Sequence, residues 1–269
     1  MGAVESSFSA MIKQWRNFRK RSQLDLALDA GVSQRHVSFL ESGRAKPSRD
    51  MVLNLCDVLD LPLRERNQLL TAAGFAPVFK ERTLDSQGMA TVNKALQMML
   101  DHHEPYPAIV VDRNWNMLLS NRAAVRFLEL LGNQNQLWER VDPGGQKNVY
   151  RLTFHPQGMK PLINNWNEVS KHLMVRLQRE VAADPNNTTL QNLLVELKDQ
   201  ASGDATNELN ENFAPLLPME LGVGNLTLKI FSMISSFGTA QDVTADELKV
   251  ETFFPADDFT TQFFLRLGN

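Results

Sequence analysis

Apolar residues recur about every 3.6 positions through the first 76 residues, a spacing typical of amphipathic helices. The pattern predicts five helices between residues 9 and 76, begun or ended by serine, glycine and proline. Ser9 opens the first helix, Ser22, Ser33 and Ser48 cap the next three, and Pro62 lies in the first turn of the fifth. We therefore expect this region to be an all-α domain.

The second and third of these helices are short and meet at Gly31. A glycine just past a helix end accepts the left-handed backbone conformation, so we expect the second helix to stop at Ala30 and the third to cover Gln34–Glu41. Small Ala27 allows the two helices to pack closely. The expected apolar contacts are Leu24, Val37 and Leu40. Two short helices joined by such a turn are typical of a helix-turn-helix.

Beyond residue 90 an amphipathic helix is followed by apolar residues with a period of two, which is typical of strands. A hairpin is predicted over residues 108–120, and two more strands over 226–235 and 248–254. Helices lie between the hairpin and these strands, and Phe259, Phe263, Phe264 and Leu267 predict a closing helix. This order predicts an α+β domain, an antiparallel sheet with helices on one face. Residues 78–87 are mostly polar, so we place a linker at 77–90, between domains at 9–76 and 91–269.

Charge is distributed unevenly between the two predicted domains. Residues 13–49 contain nine Lys or Arg and three Asp or Glu, a net charge of +6, whereas residues from 81 onward contain sixteen and twenty-three, a net charge of −7. A basic domain on an acidic body indicates a polyanionic partner for the first domain alone. The single cysteine, Cys56, fits a reducing cytoplasm, and no apolar run is long enough to span a membrane.

The first domain resembles the XRE, or lambda-repressor-like, family of DNA-binding domains over residues 9–73. The resemblance rests on linked positions in a five-helix frame: Gln23, Ala27, Gly31, Val37, Leu40, Glu41, Ser42-Gly43-Arg44 and Pro47-Ser48. It implies that double-stranded DNA is the partner and that the third helix enters the major groove. The expected base-contacting residues are Gln34, Arg35, Ser38 and Phe39, and the expected phosphate contacts are Gln23, Arg44 and Lys46.

The second domain resembles the MmyB-like ligand-binding domain over residues 90–267. The residues that carry the resemblance are His103-Glu-Pro-Tyr-Pro-Ala108, Asp112-Arg-Asn-Trp115, Asn121-Arg-Ala-Ala124, Arg151-Leu-Thr-Phe-His-Pro156, Asn165-Trp166 and Phe253-Phe-Pro-Ala-Asp257. The resemblance implies a PAS-like fold with a site for a small apolar effector, a fatty acid or acyl compound. The order of the predicted elements also suits a PAS-like domain, whose cavity lies between the sheet and its helices.

The walls of such a cavity should come from the inward faces of the hairpin, the helices and the strand at 226–235. The expected apolar ligand-binding residues are Trp115, Met117, Phe127, Trp166, Ile230 and Met233, and the expected polar ones are Asn121, His155 and Asn165. An apolar ligand needs apolar walls and a few polar groups that fix its head. The alternative for each of these residues is an ordinary place in the core.

No catalytic, metal-binding or cofactor-binding motif occurs in the chain. The five histidines form no metal-binding pattern, and neither a phosphate-binding nor a nucleophile-elbow motif is present, so we expect no enzyme, no metal and no cofactor. The expected function is that of a cytoplasmic, homodimeric, sequence-specific DNA-binding regulator. Two alternatives stay open: the second domain only dimerises, or it is an enzyme attached to a helix-turn-helix.

Overall fold

The computed structural model describes residues 7–201 and 216–268, which form two compact units. The first unit runs up to Met89 and also contains Gly238–Asp246. The second unit contains Ala90–Phe237 and the chain from Glu247 onward. The segment at 238–246 is therefore part of the helical unit, although it lies inside the range that the sequence assigns to the second domain.

The first unit contains the five helices that the sequence predicts. They are α1 (Phe8–Phe18), α2 (Gln23–Asp29), α3 (Gln34–Glu41), α4 (Arg49–Val58) and α5 (Leu63–Ala72). The expected caps Ser22, Ser33 and Ser48 each accept a backbone N–H bond, but α1 begins one residue before Ser9 and is capped by Ser7. Gly31 has φ +68°, the left-handed conformation that turns the chain from α2 into α3.

The apolar contact of α2 differs from the expected one. Leu24 is 49% exposed, whereas Leu26 is completely buried in the core with Ala27, Val37 and Leu40. Residues 23, 26, 27 and 30 share one face of a helix, and Leu24 falls outside that face. The prediction for Leu24 was therefore wrong. Cys56 lies in the same core, where burial raises the pKa of its thiol to about 12 and keeps it protonated.

The second unit combines a five-stranded sheet with helices, which confirms the predicted α+β class. Its helices are α6 (Ala90–His102), α7 (Arg122–Glu129), α8 (Gln134–Val141), α9 (Val149–Phe154), α10 (Trp166–Ala183), α11 (Thr188–Lys198) and α13 (Asp258–Gly268). Its strands are β1 (Ala108–Val111), β2 (Met117–Ser120), β3 (Met219–Val223), β4 (Leu226–Ser236) and β5 (Lys249–Pro255). The strand order is β2-β1-β5-β4-β3, and every neighbouring pair is antiparallel.

The sheet has two different faces, because successive side chains of a strand point in opposite directions. Leu228 and Ile230 of β4 and Phe253 of β5 belong to the inner face, which packs against α7 to α10 and α13. Met233 of β4 is paired with Thr252 of β5 on the outer face, along which α6 lies. The inner face is filled by core side chains, whereas Met233 and Thr252 lie on the outer face beside α6.

The connection between β4 and β5 contains a short helix, α12 (Val243–Glu247). The backbone N–H of Val243 donates to the carbonyl of Lys80 at 2.8 Å, and Asp242 forms an ion pair with Arg82 at 2.9 Å. The N–H of Leu63 donates to the carboxylate of Asp246. This connection is thereby held against the segment that follows α5 and against the start of α5.

Candidate functional site

Two arginines surround one phenylalanine of α3: Arg35 of the same helix, and Arg44 of the segment that follows it. The guanidinium carbon of Arg35 lies 5.1 Å from the centre of the Phe39 ring, and that of Arg44 lies 5.9 Å from it. A cation over an aromatic face is attracted by the ring, so Phe39 orients both side chains. Gln34 and Arg35 are exposed, and Ser38 and Phe39 are half-buried beside them. The predicted base-contacting residues therefore share one surface along α3.

A buried ion pair holds α3 from behind. Arg16 of α1 donates to both carboxylate oxygens of Glu41, from Nε at 2.5 Å and from Nη2 at 3.0 Å. The Arg16 and Glu41 side chains are only 10% and 3% exposed. Burial tends to raise the pKa of Glu41, but hydrogen bonds from Arg16 and Gln23 outweigh it, so the pKa lies below the usual value and the carboxylate stays charged.

Gln23 connects this ion pair to the surface of α2. Its Nε2 donates to Glu41 at 2.8 Å, and the amide nitrogen has a second hydrogen that this bond does not use. The other two residues expected to contact phosphates, Arg44 and Lys46, are exposed in the segment between α3 and α4. All three residues retain a hydrogen-bond donor that suits a phosphate oxygen.

The second unit has an open groove of about 530 Å³ between α6 and the outer face of the sheet. Its walls are mainly apolar, and three of its residues are methionines: Met98 and Met99 of α6 and Met233 of β4. Methionine side chains are flexible and polarisable, so they adapt to ligands of different shape. The volume lies within the range of about 300–1,000 Å³ that is usual for small-molecule sites.

Two histidines lie at the end of α6 and line the same groove. His103 Nε2 lies 2.8 Å from the carbonyl oxygen of Phe253, which can only accept, so Nε2 carries the proton. Nδ1 of His103 is then an acceptor when the ring is neutral and a donor when the ring is charged. His102, Ser235 and Thr252 add further polar groups to an otherwise apolar groove.

The apolar residues predicted to bind the ligand are brought together by the fold, with one exception. Trp115, Phe127 and Ile230 are buried on the inner face, and Met117 and Trp166 pack against the two clusters that contain them. Met233 lies on the outer face instead, where it lines the groove.

Two indole nitrogens in the inner-face cluster are buried and unpartnered, those of Trp138 and Trp166. Neither Nε1 has a hydrogen-bond partner in the structure. A buried donor without an acceptor is costly, and a bound ligand with an acceptor oxygen would remove that cost.

The polar residues predicted to bind the ligand have structural bonds. Asn121 caps α7 and also accepts from the N–H of Ala108 at 3.0 Å. Asn165 bridges to β3 by accepting from the N–H of Glu220, and the Nδ1 of His155 accepts from the N–H of Gln157. These bonds use the side-chain oxygen of each Asn and one ring nitrogen of His155, so a ligand would have to share or replace them.

Trp115 is fixed in the interior by charged groups. Its Nε1 donates to Glu180 at 2.7 Å, and Lys249 forms an ion pair with the same carboxylate at 2.6 Å. The guanidinium carbon of Arg176 lies 4.3 Å from the Trp115 ring and pairs with Glu251. These contacts close the inner face at this end of the sheet.

A second, more polar pocket of about 370 Å³ is lined by Asn114, Asn116, Gln146, Asn148, Arg151, Thr189 and Leu193. Arg151 is already paired with Asp142 and Glu196, so the pocket has no uncompensated charge from this residue. Within the described ranges, no group of His, Cys, Asp or Glu is arranged to hold a metal ion, and no helix is long and apolar enough to cross a membrane.

Comparison with known families gives two matches. A helix-turn-helix family model matches residues 12–66, and a model of the MmyB-like transcription regulator ligand binding domain matches residues 92–267. The chain belongs to the MmyB-like regulator family. Both predicted resemblances are thereby confirmed, and the protein is a DNA-binding transcription regulator with a ligand-binding domain. No curated protein sequence matches the chain.

Three structural features of this MmyB-like regulator were not predicted from its sequence. The ion pair between Arg16 and Glu41 was not predicted, because the two residues are 25 positions apart in the sequence. The groove was not predicted, although the methionines of α6 were a signal, because only the strand order places α6 beside β4 and β5. Nothing in the sequence pattern indicated that the segment at 238–246 belongs to the helical unit.

Proposed function

We propose that this regulator binds one specific DNA sequence as a homodimer in the cytoplasm, and that an apolar effector, a fatty acid or acyl compound, changes this binding. The single observation that carries the DNA-binding part is the cluster of Arg35, Phe39 and Arg44, formed by α3 and the segment after it, with α3 fixed by the Arg16–Glu41 ion pair. Arg35 has the geometry to pair with a guanine, and Phe39 offers apolar contact to a thymine methyl. Dimers pair two half-sites about 34 Å apart.

DNA selection followed by footprinting tests this part. The purified protein should enrich a sequence with two similar half-sites, and Arg35→Ala should lose the preference while keeping weak binding to random DNA. Arg122→Ala is the matched control, because Arg122 is 84% exposed and lies in the other unit. Enrichment of a single half-site would contradict the dimer, and enrichment of no sequence would contradict specific binding.

The groove beside α6 is the effector site that the geometry supports best. It combines an existing volume, apolar walls with three methionines, and two histidines at one end. An acyl chain would lie along the methionines, and its acid group would meet the polar side chains of His102 and His103 at one end. The groove requires no rearrangement of the buried core before a ligand enters.

The inner face is the second candidate site, and the unpartnered Nε1 of Trp166 favours it. A ligand there would displace side chains that now pack against one another, and its acceptor oxygen would bond to the indole. The other inner-face residues named from the sequence would then be its walls. This site requires the sheet and its helices to separate.

Mass spectrometry of an organic extract of the purified protein tests the effector and its site together. A stoichiometric long-chain acid is the expected result. Met233→Glu should abolish its retention if the groove is the site, because a charge replaces an apolar wall; Trp166→Phe should weaken it if the inner face is the site. Val195→Glu is the control, since Val195 is 71% exposed on α11. Retention that survives both site variants would contradict both sites.

The alternative of a dimerisation-only domain makes a different prediction for the same groove. A second copy that covers the methionines would leave no small molecule in the extract. Met233→Glu would then shift the protein from dimer to monomer in analytical ultracentrifugation. Under the effector proposal the same variant loses the ligand and stays dimeric.

A further inference from the structure

The chain passes between the two units three times, after Met89, after Phe237 and after Asp246. The last two passages enclose Gly238–Asp246, which connects β4 to β5. Both strands belong to the second unit, whereas their connection belongs to the first. The connection belongs to the first unit, and each of its two ends continues into a strand of the second unit. Both strands are therefore joined covalently to the first unit.

The middle of the connection is anchored by a buried carboxylate. Asp242 is 6% exposed; its Oδ2 accepts from Arg82 Nη1 at 2.9 Å, and its Oδ1 accepts from the N–H of Thr244 at 3.0 Å. The buried side chains of Val243 and Ala245 follow directly. A buried charge keeps its partners because separation leaves it uncompensated.

The end of the connection acts on α5. Helices α1 to α4 each have an N-cap serine whose side chain accepts a backbone N–H bond, but the N-cap of α5 is Pro62, which offers no such bond. Asp246 accepts from the N–H of Leu63 at 3.2 Å and so supplies the missing acceptor. A carboxylate at a helix N-terminus also interacts favourably with the helix dipole.

On each side of the connection, contacts within one unit lead to a candidate binding site. Leu69 and Leu70 of α5 lie in the same core as Val37 and Leu40 of the DNA-reading helix α3. Met233 of β4 and Thr252 of β5 line the groove, and Ile230 and Phe253 of the same strands lie on the inner face. A ligand on either face of the sheet touches the strands on both sides of the connection.

We propose that Gly238–Asp246 couples the occupancy of the effector site to the DNA-binding unit, with Asp242 and Asp246 as its two anchors. The proposal rests on the proposed function, because it needs a DNA-binding and an effector-binding state. A shift of β4 against β5 moves the connection, and the connection moves the start of α5. Coupling between two sites is reciprocal, so DNA binding must also change the behaviour of the two strands.

Reciprocity allows a test that needs no effector. Amide hydrogen exchange of the full-length protein is measured on peptides covering 226–237 and 249–255, with and without the selected DNA duplex. In the wild type the duplex should change exchange of these peptides by about fivefold or more, the lower range of usual coupling. In Asp246→Ala and in Asp242→Asn the change should fall below about twofold, with the duplex still bound.

A control variant and a titration with a fatty acid distinguish failure of the coupling from failure of the effector proposal. Asp57→Asn also removes a carboxylate that pairs with an arginine of the first unit, Arg66, but lies outside the connection and should respond like the wild type. Sodium tetradecanoate should shift the DNA-binding midpoint of the wild type and of Asp57→Asn, but not of Asp246→Ala. Duplex-dependent exchange without any effect of tetradecanoate supports the coupling and counts against the acyl effector. The coupling would be overturned if the duplex left amide exchange of the two strand peptides unchanged. It would also be overturned if the Asp246→Ala protein responded like the wild type.

Discussion

The proposed DNA-reading surface and the proposed effector groove are built in opposite ways. Arg35 and Phe39 stand on a helix that is fixed from behind by the buried Arg16–Glu41 pair. The groove has no such support, and its exposed methionines, among them Met233 at 57%, have flexible side chains. DNA presents a regular surface, so a preformed partner loses little entropy on binding. A small apolar ligand is better matched by walls that adapt.

This difference implies that the two surfaces tolerate substitution differently. A change behind α3 should affect folding and DNA binding together, because the same ion pair supports both. A change in the groove should affect the ligand alone, because its residues contribute little to the core. The measurements below test this contrast between the two surfaces.

The largest effect is expected for Glu41→Ala. It leaves the Arg16 guanidinium buried without its carboxylate, which should destabilise the first unit by about 3–5 kcal/mol. Hydrogen exchange of peptides from α1 and α3 in the full-length protein measures this loss. Asp29→Ala is the control, since Asp29 pairs with Arg21 on the surface, with both side chains nearly half exposed, and should cost at most about 1 kcal/mol. Equal losses would mean that burial of the Arg16 pair is unimportant.

The next largest effect separates two residues of β4 that lie three positions apart. Ile230 is 2% exposed on the inner face, so Ile230→Ala should destabilise the second unit by about 2–5 kcal/mol. Met233→Ala, on the outer face, should change stability by no more than about 0.5 kcal/mol but weaken ligand retention. Urea unfolding followed by near-ultraviolet circular dichroism compares the two. A destabilised Met233→Ala protein would show that the groove is part of the core.

Arg35→Ala tests the reading surface itself. The variant should lose about 1–3 kcal/mol of binding free energy on the selected site and much less on random DNA, because a bidentate contact to a base distinguishes sequences. Titration of both duplexes by fluorescence anisotropy measures the difference. Equal losses on both duplexes would place Arg35 among the phosphate contacts.

The features that were predictable from the sequence are local ones. The caps Ser22, Ser33 and Ser48 and the turn at Gly31 act within a few residues, and the bounds that they predict for α2 and α3 agree with the structure to within one residue. The strands β4 and β5 were predicted within one or two residues from their alternation. Leu24 was misassigned because its neighbour Leu26 is equally apolar and only the helical phase separates them.

The features that were not predictable depend on contacts between distant parts of the chain. The elements α8, α9 and β3 were not predicted, although Asn133 and Asn148 cap α8 and α9. Which face of the sheet is open depends on which strands are neighbours, and β1 pairs with β5 across more than half of the chain. Core residues and ligand-binding residues of this domain are also of the same apolar types, so residue type does not distinguish them.

Lowering the pH should weaken the Arg16–Glu41 ion pair that holds α3 before it affects the residues predicted to contact DNA bases. The pKa of Glu41 is lower in the folded protein than its ordinary value near 4.5, since hydrogen bonds from Arg16 and Gln23 outweigh the effect of burial. A lowered folded pKa gives stability that is present above the unfolded pKa and is lost as pH falls through the folded pKa. Thermal unfolding from pH 6 downward should show this loss in the wild type, and Glu41→Gln should reduce it. An unchanged pH dependence in Glu41→Gln would assign the acid effect to other carboxylates.

The smallest effect is expected for Lys46→Ala, because Lys46 is exposed and its expected contact is a single phosphate. Each phosphate that the protein neutralises releases counterions, and log K therefore decreases with log salt. For this variant the negative slope should become shallower by about one unit. The selected and random duplexes should be affected alike, unlike the result expected for Arg35→Ala. Affinity titrations at four salt concentrations measure the slope. A loss restricted to the selected duplex would instead make Lys46 part of the reading surface, and that surface would then extend beyond α3.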